Sequence, residues 1–364
     1  MRLTVRLAAC VVSPTNDGIY FLRPAAPRGA HWRLIRMNTR AIFSATVLAA
    51  LIVLPTGHLD AQACSGPTQA LDACRKAIDL SNFVAPQFAA ALAGGNTTIG
   101  QAGALGGLGK FAVSVRSTHV MGEFPNIGAQ GFYTGGAQKS TYATASVQVP
   151  ALSVDGALGL FRGLPVGETY IGGLDALVSA TYMSSTSATG VSATLEGSNT
   201  NFGFGGRVGI IEETSMLPGV AVSYLKRDMP RFAVASGSSV AATATTAPGT
   251  LAANSLLVTT TSYRLTAGKQ FGLLGVSAGY GQDKYDASSV ATATVNGATA
   301  SGNAVSGMTR NNLFVGASVS AAVFRFVGEY GMATGGTAAA SLNDLGAAGD
   351  KARSYYTIGV KITF

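Results

Sequence analysis

Few side chains after residue 63 could do chemistry of their own. His119 is the one histidine in that part of the chain, and it could pair with Glu123, four residues later. Catalysis by a serine or acid–base pair needs histidine held by such partners. Because a single histidine at the edge of a loop is more often an exposed polar residue, we predict no enzyme. The glycine-rich run 103–109 lacks the Lys-Ser/Thr that would follow in a phosphate loop, and no Cys/His cluster indicates a metal or another cofactor.

The two cysteines after residue 63 predict a covalent link. Cys64 and Cys74 are ten residues apart, and no histidine lies near them to complete a metal site. In an oxidising compartment such a pair forms a small disulfide loop. The alternative is a lipoprotein, in which Cys64 would be the first residue after cleavage, although Ala61 is smaller than lipoprotein signals prefer at that position.

The segment before Cys64 has the layout of a secretory signal. Met37 and Arg40 precede an apolar run over 41–54, and Ala61-Gln62-Ala63 supplies the small residues that signal peptidase needs. We therefore predict a signal peptide at 37–63, preceded at 1–36 by an upstream extension. A long charged leader beginning at Met1 is the alternative.

The rest of the chain divides into a helical part and a strand-rich part. Residues 64–108 are predicted to be a helical and glycine-rich plug or periplasmic segment, with Pro86 kinking or interrupting the helix and Gly94-Gly95 ending it. Residues 109–364 alternate with period 2 and predict an antiparallel transmembrane β-barrel of about ten strands, with a range of 8–14. The predicted strands are 109–121, 141–162, 168–183, 200–213, 218–236, 254–269, 272–285, 308–321, 323–335 and 352–364.

The connections between these strands alternate in length, which favours a barrel over a soluble sandwich. Short turns lie near 163–165, 215–218, 270–271 and 321–322, and long polar loops are predicted at 122–140, 184–199, 237–253, 286–307 and 336–351. Short turns on one side and long loops on the other are typical of bacterial outer-membrane barrels. A sheet in lipid must also close, because an open edge would leave backbone groups without partners.

Each strand has one apolar face and one small or polar face, so charged side chains are expected in the lumen. Tyrosines near strand ends on the apolar face would form an interfacial girdle (Tyr182, Tyr224, Tyr280, Tyr330 and Tyr356). The predicted lumen-facing charges are Lys110, Arg116, Asp175, Arg207, Arg227, Arg264, Arg325, Glu329 and Lys361. Their basic excess suggests a lumen that favours anions. The alternative is a set of ion pairs that fills a narrow barrel.

The overall charge gives no reason to expect nucleic acid. Seven of the 25 basic and two of the 17 acidic residues precede position 64, so 18 basic and 15 acidic residues follow. This small excess does not form the basic patch that nucleic-acid binding needs.

The last ten residues, from Tyr355 to Phe364, resemble the C-terminal signal of bacterial outer-membrane β-barrel proteins. Its apolar residues alternate and end on an aromatic (Tyr356, Ile358, Val360, Ile362 and Phe364). The resemblance implies recognition by the barrel-assembly machinery, contact with outer-membrane lipid, and periplasmic N- and C-termini. A weaker likeness is to fatty-acid-transporter-type barrels, which carry an N-terminal plug. Their Asn-Pro-Ala motif is absent here, and they have more strands.

Two functions follow as expectations. The first is a passive channel or an uptake barrel for a small solute or lipid. The alternative is a structural or surface-interaction barrel with a filled lumen and functional extracellular loops.

Overall fold

The computed structural model describes residues 64–364, so the predicted signal peptide and upstream extension lie outside the described residues. One helix, α1 (Thr68–Ala93), is followed by seventeen strands and a short 3-10 turn at Ile127–Ala129. Among the described residues, no helix is long and apolar enough to cross a bilayer. The strands are β1 (Phe111–Pro125), β2 (Phe132–Tyr133), β3 (Thr144–Phe161), β4 (Leu164–Val166), β5 (Thr169–Ile171), β6 (Gly173–Met183), β7 (Thr186–Ala188), β8 (Val191–Leu195), β9 (Thr200–Ile211), β10 (Gly219–Asp228), β11 (Phe232–Ser238), β12 (Thr246–Ala247), β13 (Gly249–Phe271), β14 (Leu274–Val295), β15 (Ala298–Ala321), β16 (Phe324–Thr334) and β17 (Arg353–Thr363).

Ten of these strands form a closed antiparallel ring. Its order is β1-β3-β6-β9-β10-β13-β14-β15-β16-β17, and β17 pairs with β1 to complete it. Within the ring, β10 pairs directly with β13, from Gly219↔Gly268 to Asp228↔Thr259, although β11 and β12 lie between them in the sequence. Closure leaves no open edge within the ring, as a sheet in lipid requires. The prediction of a barrel of about ten strands is confirmed.

The two ends of the ring differ. At the turn end, β13–β14 and β15–β16 are joined by two-residue turns at 272–273 and 322–323. A small hairpin of β4 and β5 occupies the same end, where the sequence predicted only a turn. At the loop end, 18-residue connections over 126–143 and 335–352 join β1 to β3 and β16 to β17.

A sheet extension rises from the ring at the loop end, where the sequence predicted loops. β13, β14 and β15 contain 23, 22 and 24 residues, about twice the 11 residues of β16. Their upper halves continue into β11, β8 and β7, in that order. The predicted loop 286–307 is instead strand on both sides of a turn at Asn296-Gly297, both with positive φ. We call the upper halves of β13–β15 together with β7, β8 and β11 the extension.

The predicted strand 218–236 is two strands, β10 and β11. Pro230 lies in the break between them and cannot donate a ladder hydrogen bond. β13 changes partner at the same level, from β10 to β11, through a register shift between Asn254 and Leu257. The break therefore separates the membrane ring from the extension.

Helix α1 lies inside the sheet, and 22 of its 26 residues are buried. It continues through Pro86 and ends before Gly94, where the sequence predicted the end. Its apolar side chains share one core with the inward faces of the extension, including Phe232, Leu251 and Ala291. Small residues on β14 and β15 leave the space that a helix of about 10–12 Å diameter needs.

The outward face of the ring is apolar and exposed. Tyr182, Tyr224, Tyr280 and Tyr330 are 40–55% exposed towards the loop end. At the turn end, Phe111 stacks on Phe364 at 4.6 Å between ring centroids. On β1 the distance from Phe111 to His119 is about 26 Å along the strand, comparable to the apolar band of outer-membrane barrels.

Ser65 and Phe364 lie at opposite ends of the sheet. Ser65 exchanges two backbone hydrogen bonds with Ser301, close to the Asn296-Gly297 turn. Phe364 exchanges two with Phe111 at the turn end. Residues 65 and 364 therefore lie at opposite ends of the sheet, and the periplasmic placement of the two termini stays a prediction. Residues 64–110, which we call the N-terminal segment, begin at the loop end.

Candidate functional site

Three arginines of the barrel wall bind the C-terminal end of α1. Arg116 of β1 donates from Nη1 to the Gly94 carbonyl oxygen at 2.6 Å. Arg227 of β10 donates to the Leu92 carbonyl oxygen at 3.3 Å, and Arg264 of β13 donates to that of Ala93. The last carbonyls of a helix lack partners within it and carry partial negative charge. The arginines satisfy both needs, and we call them the arginine clamp.

Acidic residues hold the clamp in place. Asp155 of β3 accepts from Arg116 Nε at 2.5 Å and lies 3.8 Å from Arg227. Asp283 of β14 pairs with Arg264 at 3.2 Å. All of these side chains are at most 10% exposed, so each charge is paired away from water.

Below the clamp, wall residues bind the glycine-rich part of the N-terminal segment. Arg325 Nη1 donates to the Gly100 carbonyl oxygen at 2.7 Å, and Lys361 donates to the Gln101 side-chain oxygen. Asp175 accepts from the Leu105 backbone N–H at 3.1 Å and pairs with Arg207 at 2.6 Å. Glu329 accepts from the Asn96 N–H at 3.4 Å.

Eight of the nine predicted lumen charges lie on the inner face, against the N-terminal segment or beside its partners. Lys110 precedes β1 at the turn end and is exposed, so its assignment to the lumen is wrong. The reason is that the alternation begins only where β1 pairs with β3 and β17.

The sequence reasoning missed seven buried charges, of which four lie on strands (Asp155, Asp283, Arg310 and Arg353) and three on α1 (Asp72, Lys76 and Asp79). Asp155 alternates with the outward Leu152 and Val154, and this signal could have revealed it. With Lys110 removed and Asp155 and Asp283 added, the inner face around residues 92–105 holds six basic and four acidic side chains. The remaining excess faces helix carbonyls and backbone oxygens, not an open lumen.

Acidic residues anchor the start of α1 to the loop end. The Asp72 carboxylate accepts from the backbone N–H groups of Tyr133 and Gln138 at 2.9 and 3.0 Å. Lys76 bonds Asp72, and its ammonium lies 5.4 Å from the Tyr133 ring centroid. Burial lowers the pKa of Lys76, although Asp72 opposes this. Asp79 accepts from the N–H groups of Leu342 and Asn343 at 3.1 and 3.0 Å, which ties α1 to the connection before β17.

A second ionic contact at the loop end joins β1 to β17. Glu123 binds Lys351 at 2.7 Å and Arg353 at 2.9 Å. It lies four residues beyond His119, above the tyrosines. Burial alone would raise the Glu123 pKa, but hydrogen bonds and charge from these two cations lower it below its usual range.

Within the described part of the chain, His119 has no acidic partner. Its Nε2 lies 2.9 Å from Ser117 Oγ, and its ring stacks on Tyr356 at 4.9 Å between centroids. Glu123 is engaged by Lys351 and Arg353 instead. Nδ1 has no hydrogen-bond partner among the described residues. Nothing in this arrangement orients the imidazole as a general base.

Cys64 and Cys74 form a disulfide at the loop end. It links the first described residue to the second turn of α1. Their thiols are occupied in this form, so the Cys64 sulfur is not free for a thioether. Among residues 64–364, no group of three His, Cys, Asp or Glu side chains is placed to hold a metal ion.

The five residues predicted to form the assembly signal lie on the outward face of the C-terminal strand. Ile358 and Phe364 are 59% and 53% exposed, and Tyr356, Val360 and Ile362 are partly exposed beside them. Their role as an assembly signal stays a prediction.

The described cavities do not form an open path. One, of about 10 Å³, lies at the turn end beside Gly100 and Lys269 and has room for about one water. Another, of about 390 Å³, lies on the outward side of the extension and is lined by small residues such as Ser192, Thr250 and Thr292.

Comparisons with known proteins give distant likenesses in structure. No protein-family model matches the chain, and no curated protein matches its sequence. The Pseudomonas putida toluene transporter TodX is 11% identical, with 70% of this chain and 88% of that chain covered and a TM-score of 0.29. The translocator domain of the autotransporter NalP from Neisseria meningitidis is 11% identical, with 71% and 89% covered and a TM-score of 0.31. A Pseudomonas aeruginosa FadL homologue is 7% identical, with 84% and 99% covered and a TM-score of 0.25.

These likenesses are too distant to assign a family or a cargo. The ring itself is closed, exposes apolar side chains outward and keeps its charges inside. A terminal aromatic ends its last strand. The chain is therefore an outer-membrane-type β-barrel of ten strands with its N-terminal segment folded into the lumen.

Proposed function

We propose that this protein is a closed outer-membrane barrel that anchors and supports a rigid surface structure, the extension. The observation that carries the proposal is the burial of α1 in the lumen with its C-terminal carbonyls bound by the arginine clamp. An open passive pore would need this space to be filled with water.

The strength of the contacts supports a permanent filling. Hydrogen bonds to charged groups contribute about 1.5–3 kcal/mol each, and the clamp supplies three of them. Displacing α1 would also leave Asp155 and Asp283 beside arginines with unsatisfied N–H groups. Its apolar side would leave the core shared with Phe232 and Leu251.

The functional surface in this proposal is the outward face of the extension. It presents Ser, Thr, Ala and Gly side chains around the 390 Å³ cavity. Helix α1 supports the opposite face of the same strands, so the extension keeps its shape above the membrane. The contacts of the barrel would be outer-membrane lipid around the ring, the assembly machinery during insertion, and molecules outside the cell at the extension.

Conductance in planar bilayers tests the closed lumen. We expect purified wild-type protein to show no steady current, because α1 and the glycine-rich part fill the ring. Arg116→Met combined with Arg264→Met should produce brief openings, since two of the three helix carbonyls lose their donors. Heat-modifiable migration must first show that the variant is folded. A steady ohmic current through the wild type would contradict the proposal.

A second function, uptake of a small solute or lipid, is favoured by one observation. Residues 94–109 are held largely by hydrogen bonds from wall side chains, which water can replace. They include seven glycines, five of which have positive φ. Uptake would require this part to move. Swelling of proteoliposomes in small sugars would show it as wild-type permeation that exceeds that of protein-free vesicles.

A further inference from the structure

The N-terminal segment crosses the sheet once, from the loop end to the turn end. Ser65 is bound to Ser301. Asp72 binds the loop residues Tyr133 and Gln138, and Gly94 meets the clamp in the middle of the ring. Leu105 binds Asp175 nearer the turn end, and β1 starts there at Phe111, beside Phe364.

The two ends of this crossing are far apart. Ser301 precedes Ala321, at the turn end of β15, by twenty residues in one continuous strand. At about 3.3 Å per residue this is roughly 66 Å along the strand. The segment does not return to the loop end, because its contacts run from Gly94 with Arg116, through Gly100 with Arg325, to Leu105 with Asp175.

The lengths of the connections at the two ends of the ring indicate which end faces which side of the outer membrane. In outer-membrane barrels, short turns are periplasmic and longer loops are extracellular. The two-residue turns at 272–273 and 322–323 and the terminal Phe364 lie at one end, so that end faces the periplasm. The Cys64–Cys74 loop lies at the other.

We propose that the barrel carries its own N-terminal segment to the cell surface, so that the Cys64–Cys74 loop is outside the cell. The proposal rests on the outer-membrane placement given above. Export brings the chain to the periplasmic side, whereas the segment ends on the other side. The ring must therefore close around the segment, or the segment must pass through it, during assembly. The partner of the exposed loop would be a molecule outside the cell.

Native cysteines provide the first test, since Cys64 and Cys74 are the only cysteines after position 63. Intact cells are treated with a reductant and a maleimide carrying a polyethylene glycol of about 5 kDa, which does not cross the outer membrane. We expect a mass shift of the barrel protein in intact cells. Labelling only after the outer membrane is permeabilised would overturn the proposal.

Epitope tags provide a second readout with matched controls. One tag is inserted between Ala63 and Cys64, one between Asn296 and Gly297, and one between Gly272 and Leu273. We expect antibodies to stain intact cells for the first two and only permeabilised cells for the third. If the first tag behaves like the third while the second stains intact cells, the proposal is wrong. If the tag at 272–273 stains intact cells and the tag at 296–297 stains only permeabilised cells, the orientation of the barrel is wrong. The closed lumen is tested separately, by conductance.

Discussion

Lumen arginines in this protein act on peptide carbonyls at a helix end. Arg116, Arg227 and Arg264 come from three different strands and reach three consecutive carbonyl oxygens. Period-2 alternation is sufficient to place these side chains inside the ring. It does not reveal their partner, because the position of α1 depends on long-range contacts such as Arg227 with Leu92 and Arg264 with Ala93, which are 135 and 171 positions apart. The predicted bias towards anions thus has a local explanation in the partial negative charge of the helix end.

Glu123 gives a residue-scale prediction with a defined pH dependence. Its folded pKa is lowered by Lys351 and Arg353, so its contribution to stability is present above its unfolded pKa of about 4.3 and is lost as pH falls through the lower folded value. We expect Glu123→Gln to lower the thermal unfolding midpoint at pH 7, with the difference from wild type shrinking below about pH 4. Midpoints measured by circular dichroism in detergent from pH 7 to pH 3 test this. A difference that stays constant over that range would contradict it, and Glu168→Gln, at an exposed position of the turn end, serves as the control.

The ring strands follow from local patterns, whereas the extension does not. All ten predicted strands overlap strands of the ring because each has an apolar lipid-facing side. Residues 286–307 lack that signal. Their inward side is mostly Ala with Ser, Gly and Val, small beside the helix, and their outward side is Thr and Ser with Val, Asp and Asn residues among them. The Asn296-Gly297 pair was the available sign of a hairpin, because type I′ turns favour that dipeptide.

An aromatic contact between α1 and β11 tests the extension as an element. Phe88 stacks on Phe232 with centroids 5.3 Å apart, and both side chains are buried. We expect Phe88→Ala to cost about 3–5 kcal/mol of local stability, as large-to-small changes in a core do. Protease added to proteoliposomes should then cleave the extension at least tenfold faster, while the ring keeps its heat-modifiable migration. Val240→Ala, at an exposed position of the same region, should cleave like wild type, and equal rates for all three proteins would rule out a shared core.

At the scale of the whole molecule, the membrane ring and the extension depend on one N-terminal segment. Its helix supplies the core of the extension, and its extended part supplies partners for the charges of the ring. The sequence predicted a plug before the barrel, but not the direction in which it runs through the ring. No local pattern shows whether such a segment enters from the loop end or from the turn end. Direction is set by long-range contacts, such as Ser65 with Ser301 and Leu105 with Asp175.

Cross-linking of α1 to the inner face of the sheet tests the placement of the N-terminal segment most directly, because the same helix supports the extension and leads into the clamp. Ser81 on α1 and Ser289 on β14 have their hydroxyl oxygens 2.7 Å apart. We expect Ser81→Cys with Ser289→Cys to form a disulfide in the outer membrane and to change the migration of the denatured, non-reduced protein. Ser81→Cys with Ser192→Cys, on the outward side of the extension, should not. A folded, heat-modifiable barrel in which the 81–289 pair remains reduced under oxidising conditions would contradict the account.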